Sequence, residues 1–158
     1  MPGRPVRTFL DTGVLITGYN GQPALQERAL AVLEDPDRIF LSSPFVRHEC
    51  CPKALFNKRH LEYRFYREYF QRAVMFNDVK LILERASREA ARSGVSAMDS
   101  FHLAAAFLLG ADELLTIENP RKSITARSSC RSSASTDSMK AAHHYPQAAQ
   151  PHSSGNPA

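Results

Sequence analysis

The sequence predicts an α/β fold, a Rossmann-like three-layer α/β/α sandwich built on a short parallel sheet. Three observations carry the expectation. Short apolar runs alternate with longer segments of helical periodicity over residues 1–120. Helix-start signals follow some of those runs: Ser43-Pro44, and Ser96 with an acidic Asp99 three residues on. The chain has 158 residues, 43% of them apolar and 23% charged, which suffices for one domain with a core but not for two.

Val6 to Leu10 reads as a short buried strand running into Asp11-Thr12-Gly13. Pro23 to Leu33 is helical, with Leu25, Ala29, Val32 and Leu33 on one face. Asp35-Pro36-Asp37 is a turn, and Ile39, Phe40 and Leu41 form the second strand. Ser43 as N-cap and Pro44 at the first helical position open the next helix, which Pro52 is expected to end or kink. Helices from about His60 to Ala73 and from Asp78 to Ala91 follow, with Val74-Met75-Phe76 between them as a candidate strand. Gly94 closes the second of these helices. Ser96 caps a helix that runs to Gly110, and Leu114-Leu115-Thr116 is the next strand.

The domain is expected to span residues 1–120. Residues 121–158 hold nine serines but only one Ile, one Met and one Tyr. Such a stretch buries too little apolar area to offset its ordering entropy, so a Ser-rich, disordered tail is expected. The longest apolar run, Leu103 to Leu109, is far short of the roughly 20 residues of a membrane span, so no membrane association is expected. Pro2-Gly3-Arg4-Pro5 leads into the first strand without an apolar signal region. Three cysteines, with Cys50 and Cys51 adjacent, make no disulfide framework, so a reducing cytoplasmic setting is expected.

The net charge of +4 comes wholly from residues 121–158, because residues 1–120 carry 15 basic and 15 acidic side chains. The signs separate again inside that neutral part. Arg47 to Arg92 holds 11 basic and 6 acidic residues, whereas Asp99 to Glu118 holds four acidic residues and no basic one. A basic arm beside an acidic cluster suits a site that holds cations and receives a polyanion, although solvated helix faces would look similar.

In an open parallel sheet, ligands bind at the carboxyl ends of strands and the starts of adjoining helices. Four acidic residues fall there: Asp11 at the end of the first strand, Glu49 in the second turn of the following helix, Asp99 in the first turn of the Ser96-capped helix, and Glu118 two residues after the last strand. Several carboxylates in one cleft repel unless a cation compensates. Mg²⁺ or Mn²⁺ suits oxygen donors, and a pair of such ions activates water and stabilises a leaving oxygen in phosphodiester cleavage. Singly, each residue has a plain alternative: Asp99 serves the helix dipole, Asp11 forms a turn, and Glu118 is a solvated loop residue.

Four segments carry a resemblance. Phe9 to Ile16 (FLDTGVLI), Ser42 to Glu49 (SSPFVRHE), Ser96 to Ala106 (SAMDSFHLAAA) and Gly110 to Glu118 (GADELLTIE) resemble, in order, the acidic motifs of PIN domains. The resemblance implies a metal-dependent nuclease of the bacterial VapC-like ribonuclease type, a toxin held inactive by an antitoxin. It implies metal-ligand roles for Asp11, Glu49, Asp99 and Glu118, the last standing where Asp is commoner, with Thr116 orienting this end of the site and Thr12 beside the ligands or the substrate. RNA as substrate, Mg²⁺ or Mn²⁺ as cofactor and a homodimeric assembly are the accompanying expectations. The family's closing strand is expected to be absent or replaced here, since only Ile124 is available for it before the serine run. The alternative function is a weakly active or inactive RNA- or protein-binding module; a structure-specific DNA nuclease is a third reading.

Other features weigh less. His48, Cys50 and Cys51 point to different helix faces and lack a fourth zinc ligand. His143, His144 and His152 fall in the tail. His102, one turn after Asp99 on the same face, is expected either to hydrogen-bond that carboxylate or to be a core histidine. Tyr63, Tyr66, Arg67 and Phe70 recur at helical spacing, part core and part candidate surface for RNA stacking or a protein partner.

Overall fold

In the computed structural model the described residues are 3–117, together with the backbone of a strand at 125–127. Five strands form one sheet with β1 (Val6–Leu10) at its centre. On one side lie β2 (Arg38–Ser42) and β3 (Val74–Met75), on the other β4 (Glu113–Thr116) and β5 (Thr125–Arg127). The first four strands are parallel, and β5 runs antiparallel to β4. Helices α1 (Thr12–Asn20) and α2 (Pro23–Leu33) connect β1 to β2, and α3 (Pro44–Phe56) and α4 (His60–Arg72) connect β2 to β3. Helices α5 (Val79–Ser93) and α6 (Ala97–Leu108) return the chain from the sheet edge to β4. The result is the expected α/β class, four parallel strands with one antiparallel strand at the edge, flanked by six helices among the described residues. The winding reverses between β1 and β4, and such a reversal opens a crevice at the carboxyl ends of the two strands.

Strands covered on both faces are apolar throughout rather than alternating. Thr8, Phe9 and Leu10 in β1, Phe40 and Leu41 in β2, and Leu114 and Leu115 in β4 are all buried. The one polar member of that group is satisfied at the amino end of the sheet. Thr8 donates to Glu113 Oε1 at 2.9 Å and accepts from Arg38 at 2.7 Å, while Arg38 also pairs with Glu113 and Asp35. Arg7 donates to the carbonyls of Leu109 and Gly110, the two residues after α6, where a cation also complements the helix dipole.

The sequence alone gives no helix over Thr12–Asn20, because two glycines and the β-branched Thr12, Val14, Ile16 and Thr17 are poor helix formers. Burial of Val14 and Leu15 outweighs that propensity. Gly18 contributes by absence: a Cβ there would come within 3.0 Å of Leu33 Cδ1 on α2. Helix α3 passes through Pro52 and ends at Phe56, so the proline does not end it. Ser43 stands at the N-cap without a capping side-chain bond, and Pro44 supplies the start signal by itself. Tyr69 is a core residue of α4 beside Tyr66 and Phe70, while Arg67 is exposed. A closing strand is present as β5, past residue 120 where the sequence places the domain end. Glu118 and the Ser-rich tail, apart from the β5 backbone, lie outside the described residues.

Candidate functional site

Asp11 is the first residue beyond β1. Its backbone N–H donates to the Leu115 carbonyl at 3.0 Å, extending the β1–β4 pairing by one step. The next residue of β4, Thr116, then donates its hydroxyl to Asp11 Oδ2 at 2.9 Å. Strand register therefore sets the position of this carboxylate.

Glu49 comes from α3, whose buried face carries Val46, Cys50 and Ala54. The half-buried carboxylate turns toward α1, where the Thr12 hydroxyl donates to Glu49 Oε2. Arg47, the one basic neighbour in sequence, instead lies against the Cys51 thiol. Asp99 occupies the first turn of α6. Ser96 Oγ accepts from the Asp99 backbone N–H at 3.2 Å and donates to Asp99 Oδ2 at 2.8 Å, and the helix dipole favours the negative charge.

Asp11, Asp99, His102, Leu103, Leu114 and Thr116 line one cleft. His102 is 3% exposed, and its Nε2 lies 2.8 Å from Glu49 Oε2 and 3.4 Å from Asp11 Oδ1. Ligand atoms of Asp11, Glu49 and His102 all lie within 4.8 Å of one another, close enough to share a cation. Of the two expectations for His102, the buried placement agrees with the structure, and its hydrogen bond goes to Glu49 rather than to Asp99. The helical spacing places His102 toward the site, but its partner is 53 residues away and has no local signal.

One regularity runs through the three described carboxylates. Thr116 occupies one oxygen of Asp11, Thr12 and His102 occupy one of Glu49, and Ser96 occupies one of Asp99. The second oxygens of Glu49 and Asp99 accept no hydrogen bond among the described residues, and that of Asp11 lies 3.4 Å from His102 Nε2. Hard divalent cations take such oxygen donors, so the donor set fits Mg²⁺ or Mn²⁺. His48 is exposed while Cys50 and Cys51 are buried, and these three do not form a site.

No curated protein matches the chain. Among solved structures, a chain of a toxin–antitoxin complex from Klebsiella pneumoniae superposes with a TM-score of 0.55 at 22% identity, covering 72% of this chain and 88% of that one. A chain of VapBC2 from Rickettsia felis, bound to a promoter DNA fragment, superposes with a TM-score of 0.50 at 12% identity, covering 67% and 84%. At these identities the two likenesses speak for the fold. The family model of the PIN domain matches residues 8–119, most of the described chain and all three described carboxylates. The chain belongs to the PIN domain family.

Proposed function

We propose that this protein is a divalent-metal-dependent endoribonuclease acting as the toxin of a toxin–antitoxin pair in the cytoplasm. The observation that carries the reading is the gathering of Asp11, Asp99 and Glu49 around His102, with one oxygen of each carboxylate held by a hydroxyl and the second oxygens of Glu49 and Asp99 accepting no hydrogen bond among the described residues. Asp11, Glu49 and Asp99 would hold Mg²⁺ or Mn²⁺, with Glu118 as a fourth ligand. When bound, the cation lowers the pKa of water and offsets charge on the phosphate. Thr12 and Thr116 keep two of the carboxylates in orientation by hydroxyl donation, which no change of pH in the neutral range removes.

Lys53, Lys58, Arg67, Lys80 and Arg88 make no ion pair among the described residues, and they would neutralise the RNA backbone. By analogy with the toxin–antitoxin complexes its fold resembles, the inhibitory partner would be an antitoxin protein, and a homodimer of the toxin is proposed alongside it. No helix among the described residues is long and apolar enough to cross a membrane.

The test is cleavage of a mixed RNA pool with Mg²⁺, Mn²⁺ or EDTA, wild type beside Asp99→Asn. Cleavage is expected with metal, absent with EDTA, and absent from Asp99→Asn at an unchanged circular dichroism spectrum. A folded, partner-free wild-type chain that cleaves nothing moves the assignment to a non-cleaving binding module.

A further inference from the structure

We propose that His102 is a positioning residue: its Nε2–H joins the Thr12 hydroxyl on one oxygen of Glu49, so that only the other oxygen faces the cation. The purpose assigned to the bond rests on the metal reading above, whereas the bond itself belongs to the metal-free protein.

The two nitrogens of His102 have opposite surroundings. Nε2 faces two carboxylate oxygens, Glu49 Oε2 at 2.8 Å and Asp11 Oδ1 at 3.4 Å. Nδ1 is buried and has no hydrogen-bond partner among the described residues. A neutral imidazole carries one N–H. Placed on Nδ1, that proton would be an unpaired buried donor, and the bare Nε2 lone pair would be pressed against the Glu49 oxygen. Placed on Nε2, it meets acceptors, and only a lone pair on the buried Nδ1 is left unpaired.

The same asymmetry separates a donor from a ligand. A histidine that binds metal through Nε2 carries its proton on Nδ1 and ordinarily gives it to a carboxylate or carbonyl. His102 has no such acceptor there, although its Nε2 lies within reach of a shared cation. The imidazole therefore belongs behind Glu49 rather than among the ligands. Thr12 on α1 and His102 on α6 reach the same Oε2 of Glu49 on α3, so three helices agree on which oxygen is withheld.

The test combines histidine ¹⁵N NMR with Mg²⁺ calorimetry on the full chain. The His102 ring is expected as the Nε2–H tautomer without metal and with saturating Mg²⁺. His102→Gln, which places an amide N–H near the Nε2 position, is expected to bind Mg²⁺ within about threefold of wild type, and His102→Leu about 10–100-fold more weakly. An Nδ1–H tautomer in the metal-free chain, or a move of the proton to Nδ1 on Mg²⁺ addition, overturns the proposal in favour of a structural or a ligating role. Wild-type affinity in a folded His102→Leu overturns it too. If that variant does not fold, the Gln variant and the tautomer decide. A wild-type chain that takes up no Mg²⁺ but shows the Nε2–H tautomer overturns the metal reading while the hydrogen bond stands.

Discussion

Thr116 is the side chain at which orientation and charge can be separated most cleanly. Its hydroxyl is the donor to Asp11 Oδ2, and valine has nearly the same shape without it. Thr116→Val loosens Asp11 on its Oδ2 side and removes one half-buried hydrogen bond, worth about 0.5–1.5 kcal/mol of stability. Cleavage and Mg²⁺ affinity are expected to fall about tenfold or more, in line with other outer-sphere partners of metal sites. Parallel thermal melts and calorimetry check this, and an unchanged affinity would show that strand register alone places the carboxylate. The contrast with Asp99 is instructive, because Ser96 binds that residue locally, within a helix start legible in the sequence. Asp11 and Thr116 meet across 105 residues. No local pattern announces such a pair, and only the order of the motifs hinted at it.

Helix α3 shows what a single element can conceal. Pro52 lacks the N–H that would bond the His48 carbonyl, a loss that usually breaks a helix interior. The element continues because Cys50, Cys51 and Ala54 are buried on either side of the proline and hold the last turns against the core. Pro52→Ala restores a backbone bond at an exposed position and is expected to stabilise the protein by about 1–2 kcal/mol. A thermal melt measures it, and a lower midpoint would mean that the proline fits the native curvature of α3. Most elements were legible because strand runs, caps and turn residues agreed, as at Val6–Leu10, Ser96 and Gly94. The misses, α1 and the far end of α3, are places where burial overrode local propensity. His102 was half legible: its face of α6 follows from spacing, and its partner does not.

The core offers a probe of the fold in its entirety. Burial pushes the Cys50 thiol far above its ordinary range, and Cys51, Glu49 and Asp11 add to the shift in that order. The folded state thus keeps the proton well past the pH at which an unfolded chain, with an ordinary value of about 8.5, releases it. Stability from this group is therefore fully present below about pH 8.5 and is lost as pH rises beyond it. At pH 8 Cys50 is expected to resist iodoacetamide in the native protein and to react in urea at the rate of an ordinary thiol. Peptide mapping of the labelled protein checks this, and rapid native labelling would mean that α3 opens without global unfolding.

The long separation between Asp11 and its partners also has a meaning in time. A chain emerging from the ribosome presents Asp11 early, but its β4 neighbour and the Thr116 hydroxyl arrive last among the described site residues. Pairings of such high sequence separation form slowly and late. During synthesis Asp11 therefore lacks its β4 neighbour and the Thr116 hydroxyl until the end of the domain has emerged, so on the proposed reading the complete site forms only then.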